Sequence, residues 1–379
     1  MKTTHPQEVL IAPKKIAAQN VFAPTNGRFM SESSHRTGAT GTRVRRRQAL
    51  AAAAFLSAWP GAGWAQRASG APYAALAALT PRLERELTDV RSLVVVHAGQ
   101  PVYSYYRNGW DADSLQPVNS VTKSVVSLLF GAALADGHVR SVDGLLAEAL
   151  PELVRAPLDA RVRQLRWAHL LGLTAGWATD QTARRDRDDD LLALAGRPFV
   201  AAPGERFAYD NGAYNLLAIG LAREVRGAAQ SATTLAQWAA ERLFAPLGIT
   251  RFDWRGGAQG HSLGAFGLRL ATPDMARIGE LVRLGGSWQG RELVPADFLR
   301  VSTTRQSAGG PPNHLPYGYG WWVGQQVRIA AGLGGQLIWI APGRQLVVAA
   351  TSASTPESAG RGQALTFIRR DIWPLIGRV

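Results

Sequence analysis

The sequence predicts an α+β fold, with an antiparallel sheet built from both ends of one domain and flanked by helices. Two β-rich runs near its start, Ser92–His97 and Val102–Tyr106, are separated by turn-forming residues and predict a hairpin. Three more β-rich runs lie near its end, at Gly320–Val327, Leu337–Ala341 and Gln345–Thr351. The residues between, from about 140 to 250, have mainly helical patterns. Strands at both ends with helices between them indicate a sheet interrupted by an inserted, mainly helical lobe.

Helices are predicted at several further places by their apolar periodicity and end signals. They span Ala71–Thr88, Ser120–Asp136, Gly212–Arg226, Thr233–Phe244 and about Thr355–Ile376. The helix that Ser120 opens is apolar on most sides after Lys123, which is typical of a buried helix. Thr272-Pro273-Asp274 predicts another helix start, with an N-cap hydroxyl, a proline in the first turn and an acid at the positive end of the helix dipole.

Residues 1–65 are predicted to be a leader, and residues 66–379 the folded domain. Arg45-Arg46-Arg47 precedes the apolar run Ala49–Trp59, and small residues follow up to Ala65, as in a twin-arginine export signal cleaved after Ala65. The apolar run is too short to span a bilayer. The alternative to an export signal is a disordered basic leader. The segment before the arginines is long for such a signal, so Met30 is a second candidate for the start of the chain.

This leader predicts a periplasmic or secreted protein that uses the twin-arginine export machinery. The sequence contains no cysteine, so neither disulfides nor a lipid-anchored N-terminus can form, and we expect no stable membrane anchor. Thiolate metal sites and cysteine nucleophiles are excluded for the same reason.

The formal net charge of +14 overstates how basic the folded domain is. Beyond residue 66 there are 33 basic and 26 acidic side chains, and the arginines are scattered among the acids. Without a basic block or a stacked aromatic platform, nucleic-acid binding is not expected. The acidic and basic cluster in Asp180–Asp190 is predicted to be a solvated surface loop, with a metal site as the weaker alternative. We expect no metal and no cofactor.

The predicted domain contains 32 arginines but one lysine, Lys123, three residues after Ser120. A lysine can lose its proton and act as a base, whereas arginine stays protonated. Residues three apart share a helix face, so Lys123 is placed to activate the Ser120 hydroxyl as a nucleophile. A serine at this spacing also arises by chance, and a lone lysine can be a neutral accident of an arginine-rich composition.

Tyr209-Asp210-Asn211 lies in a loop predicted from Pro203-Gly204. Side chains two apart in an extended loop point the same way. A tyrosine beside an ammonium can accept a proton from serine and pass it to a leaving group, and an asparagine can bridge the lysine and a substrate carbonyl. Tyr106-Arg107-Asn108 has the same spacing but lies on the predicted hairpin. We therefore favour Tyr209.

The third candidate element is Gly332-Leu333-Gly334-Gly335-Gln336, at the entry to a predicted strand. Glycines allow a backbone to approach a ligand closely. The N–H of Gln336 and the N–H of Ser120 are candidate donors of an oxyanion hole. Taken alone, the run is better described as a glycine-rich β-turn.

In this order, the three elements resemble the motifs of the serine β-lactamase and penicillin-binding superfamily. The resemblance is strongest to class C β-lactamases and their esterase, D-aminopeptidase and 6-aminohexanoate-oligomer hydrolase relatives. Further similar segments are His169–Gly176, Pro246–Ile249 and Tyr317–Trp322. The resemblance implies a β-lactamase/transpeptidase-like fold in which Ser120 is acylated, Lys123 and Tyr209 share the acid–base work, Asn211 organises the site and water releases the acyl group.

The third motif departs from the usual Lys-Thr-Gly of that superfamily, because Leu333-Gly334-Gly335 offers backbone only. A substrate carboxylate would lose charge-assisted hydrogen bonds worth about 1.5–3 kcal/mol each. We therefore expect a small ester, amide or peptide-like substrate rather than an anionic β-lactam. A penicillin-binding or sensor-type domain without efficient turnover, and a true class C-like β-lactamase, are the alternatives. The aromatic run Tyr317–Trp322 is compatible with either an acyl pocket or core packing.

Overall fold

The computed structural model describes residues 71–179, 189–228, 234–353 and 362–376. The predicted leader, most of the charged loop Asp180–Asp190 and the first part of the predicted C-terminal helix lie outside these residues. The predicted boundary at residue 65 and the export signal therefore stay predictions.

The strands form one large antiparallel sheet and two small ones. They are β1 Val90–His97, β2 Gln100–Tyr106, β3 Gln116–Pro117, β4 Asp253–Trp254, β5 Leu268–Leu270, β6 Ser287–Trp288, β7 Arg291–Glu292, β8 Ser307–Gly310, β9 Leu315–Tyr317, β10 Trp322–Val323, β11 Arg328–Gly332, β12 Gln336–Ala341 and β13 Leu346–Ser352. The large sheet has the order β2-β1-β13-β12-β11-β10-β9-β8. Because β1 pairs with β13, the two ends of the domain meet in one sheet, as predicted.

The first hairpin is confirmed, with a tighter turn than the sequence indicated. Ala98 and Gly99 both have positive φ, 49° and 78°, which is the backbone of the two-residue turn that suits the twist of a hairpin. Gln100 and Pro101 therefore already belong to β2. A proline is tolerated there because β2 is the edge strand.

The prediction of one strand over Gly320–Val327 was wrong. Only Trp322–Val323 is extended, and the chain then turns back, with the Gly324 N–H donating to the Val327 carbonyl (2.9 Å), before β11 begins. Strands β8, β9 and β11 were missed. With five residues or fewer each, they carry little periodicity, and pairing with their neighbours rather than sequence pattern holds them extended.

The helical elements are mostly short, and many of them lie between residues 140 and 250. They are α1 Ala71–Ala77, α2 Thr80–Glu86, α3 Val121–Ala135, α4 Leu146–Ala149, α5 Glu152–Arg155, α6 Trp167–Leu171, α7 Leu191–Ala195, α8 Asn211–Ala228, α9 Leu235–Ala239, α10 Thr272–Arg283, α11 Ala296–Ser302, α12 Ala364–Phe367 and α13 Trp373–Ile376. Single turns of 3₁₀ helix span Ala160–Gln164 and Pro342–Arg344, and π-helical turns span Ala240–Phe244 and Ile368–Ile372. The predicted helical lobe is thus present.

Two helix predictions need correction. The segment Ala71–Thr88 forms two helices, because Pro81 lacks an N–H and begins a new helix in its first turn. At α10, Ala271 occupies the N-cap position and the Thr272 hydroxyl caps nothing. That hydroxyl instead lies 2.5 Å from Ser92 Oγ, which also lies 2.5 Å from Thr351 Oγ1. These hydrogen bonds tie α10 to β1 and β13 in the core.

Helices cover both faces of the large sheet. Helices α3 and α10 lie on the same face. A side chain at Gly279 of α10 would meet Val347 and Ile338 of the sheet, so this helix lies very close to the strands. On the other face, the Trp339 ring stacks on Trp373 of the last helix, with centroids 5.4 Å apart. None of the described helices is both long enough and apolar enough to cross a membrane.

Candidate active site

Ser120 occupies the N-cap position of α3 and is half-buried. The preceding residue, Asn119, has a left-handed backbone (φ 49°), which asparagine tolerates better than most residues. Its side chain donates to the Leu333 carbonyl (2.7 Å), and its own carbonyl accepts from Thr122 Oγ1 (2.7 Å). These bonds fix the point where the chain enters α3, and with it the position of the Ser120 hydroxyl.

Lys123 lies one turn into α3 and is almost completely buried, with 1% of its surface exposed. Its ammonium donates to Ser120 Oγ (3.2 Å), Asn211 Oδ1 (2.8 Å) and the Ala265 carbonyl (3.0 Å). All three acceptors are neutral. A neutral amine keeps two N–H groups for Asn211 and Ala265 and directs its remaining position, the lone pair, at Ser120. The geometry therefore allows Lys123 to take the proton of the Ser120 hydroxyl.

Tyr209 is the tyrosine that the loop brings to this lysine. Lys123 Nζ lies 4.9 Å from the centroid of the Tyr209 ring, within the range of a cation–π contact. The Tyr209 ring also stacks nearly parallel to the ring of Trp322, with the centroids 5.8 Å apart and an interplanar angle of 14°. Tyr209 is half-buried.

Two other tyrosines, Tyr106 and Tyr214, are poor candidates for proton transfer. Tyr106, of the second Tyr-x-Asn segment, ends β2, where burial and the charges of Asp111 and Asp113 raise its pKa. Tyr214 is fully buried, which raises its pKa, and its hydroxyl donates to the Leu171 carbonyl (2.7 Å). Forming a phenolate is disfavoured at both positions.

Asn211 is the first residue of α8, and its side chain is exposed apart from the bond to Lys123. One turn later on the same face, Asn215 is buried and its Oδ1 accepts from the Ala265 N–H (2.9 Å). The carbonyl of Ala265 is the third acceptor of Lys123. The start of α8 thus holds Lys123 twice, directly through Asn211 and indirectly through Asn215. Sequence reasoning missed Ala265 because every residue type has a backbone carbonyl, so the sequence does not show which carbonyl accepts a hydrogen bond.

Asp210, between Tyr209 and Asn211, forms an ion pair that the sequence did not reveal. Both of its carboxylate oxygens lie 2.7 Å from Arg197 Nη1, and one also accepts from the Gly212 N–H (2.9 Å). Arg197 in turn lies over the ring of Trp177, 4.4 Å from its centroid. This Arg197–Asp210 clamp fixes the loop on which both Tyr209 and Asn211 depend.

The glycine run forms the turn of the β11–β12 hairpin, in which Gly332 pairs with Gln336. Gly332 approaches the site most closely, since a side chain there would overlap the Val118 carbonyl and crowd Asn119. Leu333 follows, and 62% of its surface is exposed. Gly334 and Gly335 have positive φ, 80° and 89°, as the turn requires.

The far end of the hairpin contacts β13 instead of α3. The missing side chain of Gly335 faces Ser352, and the Gln336 side chain donates to the Ser352 carbonyl (2.7 Å) and accepts from its N–H (3.2 Å). The roles predicted for the backbone N–H groups of Gln336 and Ser120 in an oxyanion hole stay predictions.

The aromatic run Tyr317–Trp322 belongs to the core. Tyr317, Tyr319, Trp321 and Trp322 are all buried, and Tyr317 meets Trp322 edge to face at 4.8 Å. Trp322 has a second role as the neighbour of Tyr209. Among the described residues there is no group of three histidine, aspartate or glutamate side chains placed to hold a metal ion.

The family model for Beta-lactamase matches residues 80–370, more than half of the chain. The chain belongs to this family. It is therefore a serine hydrolase with the β-lactamase/transpeptidase-like fold, which confirms the predicted resemblance and fold class.

Solved structures from several branches of this superfamily share the fold. A Bacillus anthracis protein described as a 6-aminohexanoate-dimer hydrolase superposes with a TM-score of 0.65 at 19% identity, covering 79% of this chain and 81% of that one. The hydrolase EstCE1, described as having promiscuous acyltransferase activity, superposes with a TM-score of 0.63 at 15% identity, covering 80% of this chain and 98% of that one. A penicillin-binding protein homologue from Caulobacter crescentus superposes with a TM-score of 0.61 at 16% identity, covering 76% of this chain and 95% of that one. At these identities the likeness extends to the fold alone.

Proposed function

We propose that this β-lactamase-family hydrolase cleaves carboxylic ester or amide bonds through an acyl-enzyme on Ser120. The observation that carries the proposal is the position of Lys123, buried and 3.2 Å from Ser120 Oγ. Its other two hydrogen bonds go to Asn211 and the Ala265 carbonyl, and they hold the amine next to the Ser120 hydroxyl.

The reaction proceeds in two halves. Ser120 Oγ attacks the substrate carbonyl carbon while its proton passes to Lys123. The tetrahedral intermediate collapses to an ester on Ser120, and the leaving alcohol or amine receives a proton through Tyr209. A water molecule then attacks the acyl group while its proton passes through Tyr209 to Lys123, and the acid leaves as Lys123 returns that proton to Ser120 Oγ. Asn211 keeps Lys123 aligned in both halves.

The character of the hairpin at the site supports a substrate without a carboxylate beside its reacting bond. Gly332, Leu333 and Gly334 present no charged or hydroxyl side chain, and Leu333 exposes an apolar surface. A neutral ester or a linear amide avoids burying an unpaired anion at this position. We propose weak or no β-lactamase activity for the same reason.

Steady-state hydrolysis of p-nitrophenyl esters tests the proposed activity, with Ser120→Ala as the control. Many turnovers in the native protein and none in the variant are expected. A single stoichiometric burst without turnover would instead support a penicillin-binding or sensor-type domain. Linear amide oligomers, D-amino-acid amides and nitrocefin, tested beside the esters, would identify the substrate class. Nitrocefin hydrolysis faster than ester hydrolysis would contradict the proposed substrate.

We further propose export through the twin-arginine route, supported by the sequence of residues 45–65 alone. Replacing Arg45, Arg46 and Arg47 by lysine keeps the charge and removes the paired arginines. Expressed in a bacterium with this pathway, the native precursor should be found processed in the periplasm and the variant should stay unprocessed in the cytoplasm. Equal periplasmic amounts of both would overturn this proposal.

A further inference from the structure

A cavity of about 500 Å³ lies between the large sheet and the C-terminal helices. Ala331 lines it, and because neighbouring side chains of a strand alternate, Ala331 points to the opposite face of β11 from Gly332. The cavity is therefore distinct from the space around Ser120. Its volume falls within the range of about 300–1,000 Å³ that is typical of small-molecule sites.

The walls of this cavity are mainly apolar and aromatic. The larger side chains are Leu315, Trp322, Ile329, Leu337, Trp339 and Trp373. Such a lining favours a flexible hydrocarbon chain, since burying it removes apolar surface from water on both partners.

The lining of the cavity also contains one cationic side chain. Arg369, one helical turn before Trp373, lines the cavity with an exposed side chain and has no ion pair in the part of the chain that the structure describes. Arg344 lies over the ring of Trp373, 3.8 Å from its centroid, and donates to the Trp373 carbonyl (2.9 Å). By contrast, Arg370, which does not line the cavity, is paired with Asp371 (3.2 Å). An apolar cavity with an unpaired cation at one end suits a ligand with a hydrocarbon chain and a negatively charged head.

We propose that this cavity binds the anion of a medium-chain carboxylic acid, with its chain against Trp339 and Trp373 and its carboxylate on Arg369. Trp322 is a wall of the cavity and also stacks on Tyr209. A bound chain therefore contacts the residue that supports the catalytic loop, which connects this second site to the first. The inference does not depend on which bond the enzyme cleaves.

Calorimetric titration of the Ser120→Ala protein with decanoate tests the proposal without any contribution from turnover. We expect one decanoate per chain, and about fivefold weaker binding after Arg369→Gln. The matched Arg370→Gln variant should bind as the parent does, because that arginine lies outside the cavity. Leu365→Trp, which fills the cavity from α12, should abolish binding.

Decanol, which has the same chain without the charge, separates the two parts of the proposal. It should bind more weakly than decanoate, and Arg369→Gln should not weaken it further. Equal affinity for both ligands, or equal effects of Arg369→Gln and Arg370→Gln, would overturn the assignment of an anionic ligand. Absence of decanoate binding, or binding unaffected by Leu365→Trp in a protein with native circular dichroism, would overturn the site itself.

Discussion

At the scale of single residues, the site depends on how Lys123 is held. Its three hydrogen-bond partners come from different parts of the chain: Ser120 on its own helix, Asn211 at the start of α8 and Ala265 in a loop. The ring of Tyr209 covers the same amine. A nitrogen held from several directions cannot drift away from the Ser120 hydroxyl, and this is the preorganisation that proton transfer requires.

The hydroxyl of Tyr209 can be tested separately from its ring. Tyr209→Phe keeps the stacking on Trp322 and the contact with Lys123 but removes the group that we propose protonates the leaving group. We expect kcat/KM, which reports the acylation half of the reaction, to fall by about 10²–10³ on a linear amide, and by less on a p-nitrophenyl ester, whose leaving group needs little protonation.

Tyr106→Phe is the matched control for this substitution, because Tyr106 belongs to a segment with the same Tyr-x-Asn spacing at the end of β2. It should leave both rates unchanged. Equal losses on the two substrates in Tyr209→Phe, or a similar loss in Tyr106→Phe, would rule out the proposed role of the Tyr209 hydroxyl.

At the scale of structural elements, the loop before α8 is held by the Arg197–Asp210 clamp. Asp210→Asn preserves the size of the side chain and removes the charge that pairs with Arg197. Because the pair positions Tyr209 and Asn211 without touching the substrate, we expect kcat to fall about tenfold with KM nearly unchanged. Steady-state kinetics should also show that Arg197→Gln has the same effect and that the double variant is no worse than either single one.

Glu152→Gln provides the control for the clamp. Glu152 pairs with Arg223 (2.7 Å) of the same helix α8, but far from the site and close to solvent, so its loss should leave kcat unchanged. If Glu152→Gln lowered kcat as much as Asp210→Asn, the effect would come from general loosening of α8 and not from the clamp.

The hairpin β11–β12 approaches α3 so closely that only glycine fits at position 332. A methyl group there would overlap the Val118 carbonyl and displace the segment that carries Ser120. Gly332→Ala should lower kcat/KM by at least about 10², since small displacements of reacting groups have effects of this size. Gly343→Ala, where a side chain would meet nothing within 4 Å, should be neutral. Full activity of Gly332→Ala would show that the close approach is not needed.

Sequence patterns predicted the elements that carry strong local signals. Helix α3 was placed to within a residue at each end, because a mainly apolar run follows Lys123 and ends at Gly137. The pairs Ser120–Lys123 and Tyr209–Asn211 were found for a similar reason: each lies within one short segment. The structure brings the two pairs together.

What the sequence could not predict depends on contacts between distant segments. Arg197 and Asp210 are thirteen residues apart in irregular loops, and the Ala265 carbonyl belongs to a residue type without functional chemistry. The two-residue strand β10 is extended only because it lies between β9 and β11. In each case contacts between distant segments determine the structure, and the local sequence contains no pattern that predicts it.

At the scale of the whole molecule, a buried acid makes stability depend on pH. Burial raises the pKa of Asp274 from 3.8 to about 6, although its ion pair with Arg277 opposes the rise. The folded protein therefore binds this proton more tightly than the unfolded chain. The contribution of Asp274 to the free energy of unfolding should fall by roughly 2–3 kcal/mol in total as the pH rises from about 4 to about 6. At higher pH it should stay at this lower value.

Urea unfolding across this pH range, on the native protein and on Asp274→Asn, measures that contribution. The difference in stability between the two proteins should shift in favour of the variant as the pH rises from 4 to 6. A difference that stays constant with pH would show that Asp274 titrates alike in the folded and unfolded chains.

The central claim is that Lys123 activates Ser120 to form an acyl-enzyme. Rapid-quench mass spectrometry with a p-nitrophenyl ester, followed by peptide mapping, measures the rate at which the acyl group appears and the residue that carries it. We expect the acyl group on Ser120 in the native protein, and acylation slower by about 10²–10⁴ in Lys123→Arg, which keeps the charge and removes the base. Acylation of Lys123→Arg at the native rate, or an acyl group on any other residue, would contradict the claim.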